Sequence, residues 1–124
     1  MLAIVERAYR GAIEEQYAHI LWLTHALRKM QGEVSLLLRG NAVLYARRGQ
    51  LRPGLAIGGL EVDHLPDYGS ALEALLADGV AVYALADDLR RLGVEARGLV
   101  PGVEQVELSG MARLCDRHGR IWYW

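Results

Sequence analysis

Gly79-Val-Ala-Val-Tyr-Ala-Leu-Ala-Asp-Asp-Leu-Arg-Arg-Leu-Gly93 is the stretch that decides the fold. Val80–Leu85 is an unbroken apolar run, the pattern of a parallel strand covered on both faces. It runs directly into a short helix whose first turn holds Asp87 and Asp88, either of which can cap it, and which Gly93 closes. A buried strand that meets a helix N-terminus marks where an open α/β sheet keeps its site. Ala84, Asp87 and Asp88 therefore lie at the candidate pocket.

The flanking sequence repeats this alternation. Upstream, Leu2–Val5 is a short apolar strand. Ile13–Met30 is helical, with Ile13, Ile20 and Leu27 seven apart and Leu21, Trp22 and Ala26 widening the apolar surface, so two buried faces are expected. Gly32 is expected to end that helix. Val34–Leu38 is a second apolar run, and Gly40-Asn41 opens a short helix to about Arg47. Gln50–Pro66, with Pro53, Gly54, Gly58, Gly59 and Pro66, reads as a long irregular loop with a functional or interfacial role. Ser70-Ala-Leu-Glu73 reads as a capping box opening a helix to about Ala77. Downstream, Val103–Leu108 is a strand, Ser109–Asp116 a helix, His118-Gly119 a turn and Ile121–Trp124 a last strand. Strand–helix alternation implies right-handed crossovers. The expected fold is a single three-layer α/β/α domain over 1–124 with a five-stranded, mostly parallel sheet.

Composition narrows the function. The chain has 124 residues, 52% of them hydrophobic and 23% charged, with a net charge of −1. Mean hydropathy is +0.10. That apolar surplus points to subunit contacts. The charge balance does not suggest a general nucleic-acid binder. No run nears 18 uncharged apolar residues, which argues against a membrane span. Glu6 interrupts the first apolar residues before a signal peptide could form. Cys115 stands alone, which excludes an internal disulfide and a cysteine metal cluster, and a cytoplasmic setting is expected.

Leu37-Leu-Arg-Gly-Asn-Ala-Val-Leu-Tyr-Ala-Arg-Arg-Gly-Gln50 and Leu72–Gly93 together resemble the sulfur-relay family DsrE/DsrF/DsrH (TusD/TusC/TusB). Val82-Tyr-Ala-Leu-Ala-Asp-Asp-Leu89, Gly102-Val-Glu-Gln-Val-Glu-Leu108 and the terminal Trp124 are closest to the DsrH/TusB branch. The resemblance implies a DsrE-like fold and a role in sulfur transfer or sulfur metabolism. It also implies a trimer or hexamer, or a hetero-oligomer with a cysteine-bearing paralogue. This chain departs from the family in several places. Asn41 stands where the family has an acid, and Ala8-Tyr-Arg-Gly11 keeps only the outline of its first turn. Sulfur-carrying members place a cysteine at the position of Ala84, and DsrH/TusB-type proteins can carry one near the N-terminus; both positions lack it here. A non-catalytic structural or regulatory subunit is the first reading.

The second reading is a persulfide sulfurtransferase using Cys115. That residue shares an apolar face with Met111 and Ala112 near a helix C-terminus, where a thiolate is disfavoured unless His118 counters it. The third is a small-molecule module around Asn41, Ala84, Asp87 and Asp88. His19, His25, His64 and His118 form no metal pattern, no nucleotide fingerprint occurs, and no cofactor is expected. Arg39, Arg47, Arg48 and Arg52 read as a solvated face, with an acidic partner or RNA as the alternative. Trp22, Trp122 and Trp124 are candidate interface residues, since aromatics bury large area behind one polar tip.

Overall fold

β5 (Ala81–Leu85) lies near the middle of a five-stranded sheet ordered β6-β5-β2-β1-β7. The other members are β1 (Leu2–Val5), β2 (Ser35–Leu38), β6 (Glu104–Val106) and β7 (Ile121–Tyr123). Every pairing is parallel. The computed structural model describes residues 1–7, 16–50, 55–62 and 67–124. The expected turn at Ala8–Gly11, Ile13, Arg52, Pro53, Gly54, His64 and Pro66 lie outside the described residues, as do the side chains of 16–20, His19 among them.

The order explains the layers. From β1 to β2, β5 and β6 the chain steps one way across the sheet, then β7 returns to the far side of β1. Right-handed crossovers put the helices of the first three steps on one face and that of the last on the other. The two apolar clusters follow this division. Ala3, Val5, Leu36, Leu38, Val82 and Ala84 face the larger cluster with Leu21 of α1 (Gln16–Lys29), Leu72 and Leu75 of α2 (Tyr68–Ala77) and Leu89 of α3 (Ala86–Arg91). Leu2, Ile4 and Leu37 face the smaller one with Leu114 of α4 (Leu108–Asp116). The register Leu2↔Ser35, Ile4↔Leu37 and Leu37↔Tyr83 keeps each row of side chains on one face.

Several local expectations change. Gly40–Ala46 is a 3₁₀ helix rather than an α-helix. The region expected to be an irregular loop contains a hairpin, β3 (Leu55–Ile57) against β4 (Leu60–Val62). Gly58 and Gly59 connect them with φ of 55° and 85°, the two positive values a two-residue type I′ turn needs. α2 begins at Tyr68: Asp67 is its N-cap and accepts from the Ser70 amide at 3.1 Å, so Ser70 is not the cap. α1 ends with Gln31 in the left-handed region at φ 63°. Gly32 donates to the Leu27 carbonyl at 3.0 Å, and it must be small because a Cβ there would stand 2.9 Å from that oxygen. Trp22, expected on a second buried face of α1, projects outward and is 67% exposed. Among the described residues no helix is long and apolar enough to cross a membrane.

Candidate functional site at the carboxyl ends of the strands

β5 passes into α3 with no residue between, so Leu85 is the N-cap and makes no side-chain capping bond. The expectation that Asp87 or Asp88 caps α3 is therefore corrected. Both acids sit in its first turn and reach outward to other segments. Asp88 Oδ2 accepts from the Gly40 amide at 2.6 Å, tying the turn after β2 to α3. Its other oxygen faces Arg91 at 3.3 Å, and the side chain is only 17% exposed. Asp87 Oδ2 accepts from the Leu108 amide at 3.2 Å, which satisfies a free N–H at the start of α4.

A second set of charges completes the rim. Arg90 donates to both oxygens of Glu107 at 3.0 Å and to Asp87 at 2.7 Å. The hydrogen bond from Arg90 holds the Asp87 and Glu107 carboxyls below their usual range, against the opposing effect of desolvation. At the other end of the row, the Tyr123 hydroxyl donates to Glu6 at 2.5 Å. That bond, then burial, raises the Tyr123 pKa and keeps the phenol neutral. Arg39 stands 3.7 Å from Glu6. Its Nε is buried without a hydrogen-bond partner among the described residues, and such a donor suits a carbonyl or carboxylate oxygen.

Because their folded pKa values are depressed, Asp87 and Glu107 contribute stability above their unfolded pKa values and lose it as pH falls through the folded ones. Arg90→Ala is expected to lower the urea midpoint modestly at pH 7 and hardly at all at pH 2. An equal loss at both pH values would show that the ion pairs carry none of it.

The structure brings Asn41, Asp87 and Asp88 to one end of the sheet. Asn41 is exposed, whereas both aspartates are engaged within the protein. Ala84 is 0% exposed, packed in the larger cluster between the partners Leu38 and Gln105, and presents no surface. Cys115 lies apart from all of them. It packs half-buried against the smaller cluster, on the α4 face. The His118 ring bonds the Leu114 carbonyl and Ser35 rather than supporting the thiol. Among the described residues no three His, Cys, Asp or Glu side chains gather as a metal site would. Trp122 stacks edge-on against Trp124 with centroids 5.7 Å apart; Trp122 remains accessible, and Trp124 packs on the larger cluster.

No family model and no curated protein matches the sequence. Solved structures do. The chain superimposes on the ychN protein from E. coli with a TM-score of 0.78 at 24% identity, over 99% of this chain and 97% of that one. The fold is DsrE-like. MTH1491 from Methanobacterium thermoautotrophicum shares it, with a TM-score of 0.68 at 16% identity over 99% of this chain and 96% of that one. The DsrE-like architecture thus extends across the described elements, and at these identities the likeness establishes the fold and nothing further. Glu6, Arg90, Glu107 and Tyr123 were not legible as site residues in the sequence, and Arg39 was read only as part of an arginine-rich face. Tyr123 and Glu6 are 117 residues apart, and no local spacing announces them.

Proposed function

We propose that this chain is a non-catalytic structural or regulatory subunit of a cytoplasmic sulfur-relay or sulfur-metabolism system, of the DsrH/TusB branch. One observation carries the reading. Within a DsrE-like fold, the position where the resemblance puts the sulfur-carrying cysteine is Ala84, sealed in the core. The nearby acids and guanidiniums bind one another and offer no sulfur nucleophile. Cys115 packs on the other face of the sheet, away from this rim.

The subunit assembles through exposed apolar side chains. Trp22 on α1 and Trp122 on the edge strand β7 are the main anchors, with Trp124 bracing Trp122. The partner is a second copy, in a trimer or hexamer, or a cysteine-bearing paralogue.

The test is the intact mass of the native chain after incubation with a persulfide donor, with Cys115→Ala alongside. No added sulfur is expected on either. One added sulfur on the parent that is absent from Cys115→Ala would make the chain a sulfurtransferase and end the proposal.

A further inference from the structure

At the opposite end of the sheet, Ser35 opens β2 and His118 follows the last turn of α4. The two are 83 residues apart in sequence, and Ser35 Oγ lies 3.1 Å from His118 Nε2. His118 Nδ1 lies 2.8 Å from the Leu114 carbonyl oxygen. A carbonyl can only accept, so these partners assign the proton to Nδ1. Nε2 then presents a lone pair, and the Ser35 hydroxyl donates to it. A hydroxyl bonded to a base, with the base held by a third group, is the arrangement that activates a serine nucleophile. Both side chains are half-buried, so they are oriented by their neighbours and still reachable.

The pair opens on a cavity of about 370 Å³. Arg28, Arg117 and Glu33 also line it, and Gly79 and Gly119 leave its wall without side chains. Arg28 donates its Nε to the Asp78 carbonyl at 2.9 Å, and its terminal nitrogens make no salt bridge among the described residues. Arg117 makes no salt bridge among the described residues. Two guanidiniums against one carboxylate favour a substrate with a negative group, and the volume suits a small molecule. None of these residues belongs to the rim at the carboxyl ends, so the inference is independent of the sulfur-relay reading.

We propose that Ser35 and His118 form a nucleophile–base pair that hydrolyses small esters bearing a negative charge. Ser35 Oγ attacks the ester carbonyl carbon as its proton passes to His118 Nε2. The oxyanion so formed develops in the cavity that Arg117 and Arg28 line, where a cation stabilises it. Collapse breaks the bond to the leaving alcohol, which takes the proton from Nε2. Water then attacks the acyl-serine, giving its proton to Nε2, and releases the carboxylic acid as Ser35 recovers a proton.

The experiment treats the full chain with a fluorophosphonate probe, maps the adduct by peptide mass spectrometry, and follows p-nitrophenyl acetate against its succinate half-ester. The adduct is expected on Ser35, absent in Ser35→Ala, and formed about 100-fold more slowly in His118→Gln, as loss of a general base predicts. The succinate half-ester is expected to be the better substrate, an advantage that Arg117→Gln reduces. An unlabelled parent protein, an adduct on another residue, or parent-like labelling of His118→Gln overturns the proposal. Should either variant fail to fold, adduct mapping on the parent chain decides alone.

Discussion

Leu114→Ala is expected to lower the unfolding free energy by about 3 kcal/mol, within the range of about 2–5 for deleting a buried leucine. Leu114 is 1% exposed and is the one fully buried side chain that α4 contributes. On this face of the sheet it meets Leu2, Ile4 and Leu37. The larger cluster on the other face is fed by three helices and the 3₁₀ segment, so a defect there can be shared. Here a single helix of nine residues closes the layer. Half-buried Met111 and Cys115 flank the gap but belong to the same helix and cannot hold it down. Besides the partly buried Tyr83 and Val106, α4 is tied by the Leu108 amide on Asp87, the Arg90–Glu107 pair and the His118 contact with Ser35. Transfer of the lost methyl groups accounts for about 2 kcal/mol, and the void adds the rest. Urea unfolding followed by circular dichroism checks the magnitude. Hydrogen exchange checks the mechanism, since α4 amides should lose protection before those of β2 and β5. A loss under about 1 kcal/mol would mean that α4 is not what closes this layer.

The parts of the fold that were legible in the sequence are those whose burial is two-sided. β1, β2 and β5 carry apolar residues at nearly every position because helices cover both faces. β3 and β4 are three residues each, and Ala56, Ile57, Leu60 and Glu61 are exposed. These described side chains show no alternation of burial, and the Gly58-Gly59 pair was the hairpin's one signal. Asp67 and Ser70 are both good caps, so spacing alone could not choose between them. At the candidate site, local reasoning placed Asn41, Asp87 and Asp88 at one end of the sheet but gave the acids the wrong partners. Acids in a helix's first turn resemble caps. Only the strand order, which sets β5 beside β2 and β6, shows that Gly40 and Leu108 lie within their reach. Ser35 fell inside the apolar run Val34–Leu38 and His118 was read as a turn residue that could support Cys115, because local spacing does not show that the two meet.

Among the described glycines, Gly40→Ala should be the most damaging addition of a methyl group, costing about 2–4 kcal/mol. Two effects add. Gly40 has φ +55°, a conformation that costs an L-residue about 1–2 kcal/mol. A Cβ there would also stand 2.8 Å from the Glu6 carbonyl oxygen and 3.0 Å from Glu6 Cγ. The oxygen cannot retreat freely, because it accepts the Ala42 amide at 3.2 Å. Relief must come from moving the turn after β2 away from β1, and such overpacking costs about 1–3 kcal/mol. Gly49→Ala isolates the first effect, since Gly49 has φ +71° and a methyl group there would meet nothing within 4 Å; it should lose only about 1 kcal/mol. The displaced turn carries the Gly40 amide with it, and that amide is the donor to Asp88. Asp88→Ala alone strands a half-buried N–H and removes a charge-assisted bond, for about 1.5–3 kcal/mol. In the Gly40→Ala background the bond is already stretched, so the second loss should shrink by at least about 0.5 kcal/mol. Strict additivity of the two changes in urea unfolding would show that the Asp88 carboxylate does not hold the β2 turn against α3, and the joint between them would need another explanation.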